Sequence, residues 1–259
     1  MKIVFSEYIS DYSNYQFPYC IWALEEPADS KSSILSNGFL PSGSNPIRYY
    51  LCRSLRVSCN DFYLSSENKR ILSKNKNLNI KLVRKNDTTI TDEIISMCME
   101  SAKIRFNRNV MTDERLATLF SSPHTTHYIF LMDDKNVVGL VTCLSDEVTF
   151  LHYNFSFFCT NDEYYNLGIY MMTKTIQLMN YLGMKYVYLG TIYNEKSKYK
   201  LQFNGIEFFN GFEWRSDLKE LKFLLRRDGE EVYEHILECQ NYINLFLDGN
   251  LNSLVKSGI

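Results

Sequence analysis

No apolar stretch in the 259 residues approaches the roughly 18 needed to cross a bilayer. CxxC pairs are absent, and the seven cysteines, at 20, 52, 59, 98, 143, 159 and 239, are odd in number. That pattern argues against a disulfide framework and favours free thiols in a reducing compartment. The opening MKIVFSEYISDY lacks the apolar run of a secretory leader, so a cytoplasmic protein is expected. An excess of charge of one sign is also lacking. With a formal net charge of −2, nothing pulls the whole chain toward nucleic acid, and an anionic partner must be met by a local basic patch. The four histidines, at 124, 127, 152 and 235, lie in no recognisable nucleophile motif. His152 sits in an aromatic strand and is read as structural. No catalytic triad, internal repeat or low-complexity segment is visible.

What is present is an ordinary hydrophobic content, enough for a sizeable core, together with 19 tyrosines and 17 phenylalanines. Met1–Phe5 reads as a strand, an apolar patch surrounds Trp22, and NGFLPSGSNP (37–46) reads as turns. LCRSLRVSCNDFYL (51–64) alternates in part, as a strand does. From Lys69 to Lys85, KRILSKNKNLNIKLVRK carries seven positive charges and no negative one. Its bland reading is an amphipathic helix with Ile71, Leu72 and Leu78 inward. A boundary falls near 86–91. Beyond it Thr91 and Thr112 head two helices, with acidic residues in their first turns. His127–Met132, the turn DDKN and Val137–Leu144 form a hairpin pattern, and Val148–Phe157 is a further strand. A helix is expected over Asp162–Leu182, a strand over Tyr186–Leu189, and a C-terminal helix around Glu230–Asp248 that packs on the sheet.

This order resembles the GNAT acyltransferase fold, an α/β (α+β) architecture. It implies a mostly antiparallel, splayed sheet flanked by helices, with the acyl donor lying where neighbouring strands part. Acetyl-CoA enzymes of that fold start the long helix with a Q/R-x-x-G-x-G/A loop that cradles a diphosphate. Here the stretch is YNLGIY, Tyr165–Tyr170. Gly168 is kept, but Tyr170 replaces a small residue and is expected to crowd a diphosphate. A bland reading of Gly168 is close contact between helix and sheet.

A second resemblance is closer. The strand YLGTIY (188–193), followed by KSKYKLQFNGIE (196–207), is similar to the YLGYWI and K-M-x-Y-K-x-x-F-x-P-x-E segments of aminoacyl-tRNA–protein transferases. Those are the arginyltransferases and their bacterial leucyl-transferring relatives. Lys196, Tyr199, Lys200, Phe203 and Glu207 match; Thr191, Ser197 and Gly205 depart. LHYNFSFF (151–158) stands where the family has an aromatic strand, and NLG (166–168) where it has S-L-G. GFLPSG (38–43), CRSLRV (52–57) and FYLSSENKRILSKN (62–75) match further segments, keeping Cys52, Arg56, Phe62, Ser65, Arg70 and Asn75. The resemblance is collinear over about residues 38–210. It implies an N-terminal subdomain over 1–88 and an aminoacyltransferase domain over 89–259.

The resemblance implies an enzyme that moves an amino acid, arginine or leucine, from aminoacyl-tRNA to the α-amine of a protein or peptide beginning with Asp or Glu. Such a transfer can tag a protein for degradation. Aminoacyl-tRNA is the co-substrate. Many family members carry an N-terminal cysteine cluster, but here only Cys20 and Cys52 are plausible counterparts. Two thiols make an incomplete shell for zinc or an iron–sulfur cluster, so no cofactor is expected. An acidic acceptor needs fixed cations beside the reacting amine. Lys200 and Lys198 are the candidates, with Arg56 completing the pocket and Tyr199 on the opposite face. Tyr153, Asn154, Gly168, Tyr188, Gly190, Phe203 and Glu207 complete the expected substrate-binding set. Lys69, Arg70, Lys74 and Lys76 are expected to meet tRNA phosphates. No catalytic residue is named, because an activated ester and an α-amine need mainly to be held together. Two other readings stay open: a CoA-dependent N-acyltransferase, and a non-catalytic module that binds N-termini or tRNA. The bland reading of the lysines is a solvated loop.

Overall fold

In the computed structural model, residues 1–8, 10–11, 13, 18–105, 111–160, 164–230, 232 and 234–256 are described. In chain order the elements are β1 (Lys2–Glu7), β2 (Tyr19–Leu24), α1 (Lys31–Ser36), β3 (Phe39–Pro41), β4 (Arg48–Leu51), β5 (Ser54–Ser58), α2 (Ser66–Lys74) and β6 (Leu78–Arg84). There follow α3 (Asp92–Arg105), α4 (Asp113–Ser121), β7 (His127–Asp133), β8 (Asn136–Ser145), β9 (Phe150–Phe158), α5 (Leu167–Tyr181) and β10 (Tyr186–Thr191). After a 3₁₀ helix at Glu195–Gln202 come β11 (Ile206–Phe209), β12 (Trp214–Arg215), α6 (Leu218–Arg227), α7 (Gln240–Phe246) and α8 (Asn252–Lys256).

Among the described residues the strands form two sheets, one ordered β1-β2-β4-β3 and one ordered β12-β11-β5-β10-β9-β8-β7-β6. The second is antiparallel except where β10 runs parallel to β9 after the α5 crossover. The expected mostly antiparallel, helix-flanked sheet is therefore what the chain forms. β5 and β6 both precede residue 88 and both belong to this sheet. β5 lies between β10 and β11 and is buried along its whole length.

Alternation on β8 separates the two layers of helices. Leu140 joins Ile94, Cys98 and Ala102 of α3 and Leu116 and Leu119 of α4 in one core, while its neighbour Gly139 lies against Met171 of α5. Local signals place these helices. Thr112 Oγ1 accepts from the Arg115 amide at 3.2 Å to start α4. At α2, Ser65 and Asn68 form a reciprocal capping box. The basic stretch 69–85 divides between α2 and β6, with Ile71 and Leu78 buried and Lys69, Lys74, Lys76 and Lys81 exposed.

The turn-rich segment 37–46 holds the short strand β3 as well as turns. The helix expected over 162–182 is α5, and residues 161–163 lie outside the described set. Of the helix expected over 230–248, only α7 forms among the described residues; residues 231 and 233 lie outside them. An unforeseen helix, α6, precedes it. By compactness the chain divides into Met1–Thr191 with Tyr199–Ser216, and Ile192–Lys198 with Asp217–Ile259. In the smaller unit Phe223, Tyr242 and Phe246 pack ring on ring, and the Tyr242 hydroxyl donates to the buried Glu220 carboxylate at 2.7 Å.

Gly38 begins the turn into β3 with φ +84°, and a Cβ there would lie 2.3 Å from Cδ1 of Phe209. Gly38→Ala is expected to destabilise the fold by about 2–5 kcal/mol, from left-handed backbone and overlap together. Urea denaturation of both proteins measures the difference.

Candidate active site where two strands part

β9 and β10 are paired only through Tyr186–Phe150, Val187–Leu151 and Tyr188–His152. Beyond these the strands separate. Two irregularities fall at the parting. On β9, Thr142 faces Phe155 and Cys143 faces Tyr153, so Asn154 is an extra residue in the strand. On β10, the register against β5 shifts between Tyr188 and Thr191, with Gly190 at φ +80°. The gap between the strands is a cavity of about 380 Å³, walled by His152, Tyr153 and Asn154 on one side and Gly190, Thr191 and Lys200 on the other.

Lys200 and Arg105 both bring positive charge to this cavity. Lys200 Nζ donates to the Thr191 carbonyl at 3.0 Å, and burial pulls the ammonium down to about 8. A second wall group is neutral. Burial, assisted by the nearby Lys200 charge, pulls the His152 imidazole down to about 3. His152 Nδ1 and the Tyr153 hydroxyl are buried and have no hydrogen-bond partner among the described residues. Buried polar atoms are nearly always partnered, which makes these two wall residues of the cavity unusual. Burial also raises the Tyr153 phenol, which keeps its proton and remains a donor.

A second cavity, about 700 Å³, opens at the N-terminus of α5 and shares Arg105, Ser156, Met172 and Tyr199 with the first. Tyr170 is not in its lining. That side chain is buried, and its hydroxyl donates to the Leu78 carbonyl at 2.5 Å. The expected crowding of a diphosphate by Tyr170 is thus corrected: the residue lies on the buried face of α5. Gly168 does line the cavity, and a Cβ there would sit 3.1 Å from the Phe158 ring. Asn75 holds the loop ahead of α5. Its amide donates to the Tyr165 carbonyl at 2.6 Å and accepts from the Tyr165 amide at 3.1 Å.

Of the residues singled out in the sequence, Tyr153, Asn154, Gly190, Tyr199 and Lys200 meet at the first cavity. Tyr199 and Lys200 share it because the segment is a 3₁₀ helix, where strand alternation does not apply. Arg56 does not join them. Its Nε donates to Glu207 at 2.6 Å, and its guanidinium lies 3.8 Å from the ring centres of both Tyr186 and Trp214. This charge is already neutralised and stacked, which places Arg56, Glu207 and their neighbour Tyr188 in the scaffold. Phe203 is buried and packs toward Phe62. Lys198 belongs to the smaller unit, where it pairs with Glu195. Arg70 pairs with Glu67 and with the Tyr165 hydroxyl.

Arg105 is not among the residues that the sequence singles out. It comes from the end of α3, donates to the Ser156 carbonyl at 2.7 Å and stacks on Phe158. Nothing local marks it, since its role comes from the docking of α3 on β9. Cys52 is buried, and its thiol is pushed up to about 12. Among the described residues no group of three or more His, Cys, Asp and Glu side chains is placed to hold a metal.

A mixed sheet that splays around a polar cavity, with a helix starting beside it, is the class of architecture the site defines. Comparison with known proteins gives the family. The family model "Arginine-tRNA-protein transferase, C terminus" matches residues 80–210, and the chain belongs to that family. The chain is similar to the aspartate/glutamate leucyltransferase of Ruegeria sp. (strain TM1040), at 27% identity over 173 residues, 63% of this chain and 61% of that protein. The enzyme of the same name from Saccharophagus degradans is 25% identical over 194 residues, 71% of this chain and 81% of that protein. The match to the Ruegeria protein therefore spans less than two thirds of its length. Among solved structures, L-PGS from Bacillus licheniformis superposes with a TM-score of 0.41 at 7% identity, over 61% of this chain and 48% of that one.

Lys200→Met is expected to stabilise the protein at neutral pH by about 1–3 kcal/mol. The sign follows from protons bound. Between about 8 and the unfolded lysine value near 10.4 the unfolded chain holds more protons than the folded one, so wild-type stability rises with pH through that window. The gain from the methionine is full below pH 8 and gone above about 10.4. Denaturation at pH 7, 9 and 10.5 reads it, and a variant less stable than wild type at pH 7 contradicts it.

Proposed function

We propose that this protein transfers an amino acid from the 3′ end of an aminoacyl-tRNA to the α-amine of a protein or peptide beginning with aspartate or glutamate, and that the amino acid is leucine. Membership of the transferase family supports the reaction type. The names of the relatives support the acidic acceptor, and favour leucine over arginine. The observation that carries the reading is the cavity at the parting of β9 and β10, with a half-buried ammonium, Lys200, and two buried wall atoms, His152 Nδ1 and the Tyr153 hydroxyl, that have no hydrogen-bond partner among the described residues.

The chemistry asks little of the protein. An α-amine titrates near 8, so a useful fraction is neutral at pH 7, and an aminoacyl ester is already activated. In this reading the amine nitrogen attacks the ester carbonyl and a C–N bond forms. The C–O bond to the tRNA ribose breaks, and the released oxygen takes up a proton while the amine loses one to solvent. Lys200 holds the acceptor carboxylate and, as a nearby cation, lowers the affinity of the amine for its proton. The Tyr153 hydroxyl is a donor for the carbonyl oxygen as charge builds on it. His152, held neutral with a value near 3, is too weak a base to take the proton and serves as a hydrogen-bonding wall. Lys69, Lys74 and Lys76, exposed on and beside α2, are the phosphate contacts in this reading.

A second reading has one observation in its favour: the N-terminus of α5 is not blocked by Tyr170, so a CoA-dependent acyltransferase remains a competitor. One experiment separates the two. The protein is mixed with a full set of charged tRNAs and peptides beginning with Asp, Glu, Arg or Ala, and peptide mass is followed; acetyl-CoA is tested in parallel. A gain of one leucine residue on the acidic peptides is expected. Acetylation without aminoacylation overturns the proposal. A Lys69→Gln, Lys74→Gln, Lys76→Gln triple variant is expected to bind charged tRNA more weakly in 50 mM salt and to show a shallower salt dependence, by roughly 0.7–0.9 in log–log slope for each phosphate left without its lysine. A filter-binding titration across salt concentrations measures both.

A further inference from the structure

The extra residue of β9 has another side. Asn154 and Phe155, which wall the cavity at the strand parting, also wall a smaller one of about 160 Å³ reached past Pro41. Its remaining walls come from α4 and the residues flanking it, Met111 before and Ser122 and His124 after, and from the end of β3 and the turn beyond it. Met111 and Leu119 are buried apolar members, and Phe155 is partly buried. His124 adds no charge. Its Nε2 is engaged with the Asn45 carbonyl at 2.8 Å, and burial lowers its affinity for a proton. The one charged side chain among the described lining residues is Arg115, which is exposed and positive.

This cavity differs in kind from the one holding Lys200. An acidic acceptor side chain is matched by the half-buried Lys200 ammonium in the larger space. The smaller space sets apolar carbon from Pro41, Met111, Leu119 and Phe155 among the uncharged polar groups of Thr118, Ser122, His124 and Asn154, and its Arg115 has the same charge as arginine. Its size also fits. An apolar cavity of about 150 Å³ accepts benzene, and a leucyl side chain has four carbons. Resting on the aminoacyl-transfer reading above, we infer that the cavity bounded by Met111, Leu119, Phe155 and Thr118 receives the side chain of the amino acid being transferred. It selects a branched apolar residue and rejects arginine.

The walls then set the preference among donors. Leu119→Ala enlarges the cavity. Thr118→Leu narrows it at an exposed helical position whose hydroxyl only donates back to the Glu114 carbonyl at 2.8 Å. The test is competition among leucyl-, alanyl-, phenylalanyl- and arginyl-tRNA for one acidic peptide, read as product ratios in a single sample, so that loss of folded protein cancels. Wild type is expected to favour leucine over arginine by about a hundredfold. Leu119→Ala should raise the phenylalanine-to-leucine ratio, and Thr118→Leu the alanine-to-leucine ratio, each by about tenfold, as a change of one or a few methylenes does in an apolar pocket. Transfer of arginine in preference to leucine overturns the inference, and so does transfer whose ratios neither variant moves. If Arg115→Gln alters the choice between Asp- and Ala-initiated peptides while donor ratios stand still, the cavity belongs to the acceptor and the inference fails. Absence of transfer from every donor overturns the function proposed above, and this assignment with it.

Discussion

Three residue pairs hold β9 to β10, from Tyr186–Phe150 to Tyr188–His152, and the site exists because the pairing stops there. A parallel ladder between these strands needs both to keep one twist and one register. Asn154 adds a residue to β9, and the shift near Gly190 disturbs β10, so neither strand can continue alongside the other. The separation turns the middle of a sheet, ordinarily the most rigidly filled part of such a fold, into polar space. Side chains from three elements gather around it: Lys200 and Tyr199 from the helix after β10, His152 and Tyr153 from β9, and Arg105 from α3.

Charge is used in two opposite ways within a few residues of each other. Arg56 is stacked between Tyr186 and Trp214 and bonded to Glu207, so its field is spent inside the fold. Lys200 is half-buried with a backbone carbonyl as its hydrogen-bond partner, and it stays a source of positive potential in the cavity. The first arrangement ties β5, β11 and β12 together. The second lowers stability, as an incompletely compensated buried charge does, and is the kind of local conflict expected where a fold is shaped for a ligand. Aromatic richness serves the same division. Tyr186, Tyr188 and Trp214 pack around the guanidinium, while Phe158 and Tyr199 line open space.

Much of the framework is legible from neighbouring residues. Thr112 before two acids marks the start of α4, the DDKN turn marks the β7–β8 hairpin, and apolar spacing marks α3 and α5. These features depend on contacts within about a turn or a hairpin. The family resemblance likewise singles out Lys200 and Tyr199, because their spacing from the strand end lies in one continuous stretch. The helix α6, absent from the sequence reading, carries local signals of the same kind: its apolar face is regular, and Asp217 caps it, its side chain accepting from the Lys219 amide at 2.8 Å.

The sequence by itself determined the class of the fold, the family, and a basic, aromatic segment after a buried strand that carries part of the candidate site. Only the tertiary structure decided which cations are available. Arg56 and Glu207 stand 151 positions apart and become partners only because β5 is inserted between β10 and β11. The same holds for Arg105, brought to the cavity by the packing of α3, and for the apolar recess beside Asn154, built from α4, β9 and the turn after β3. Pairings of this kind are set by strand order and helix docking, which depend on the whole core at once. No local spacing encodes them.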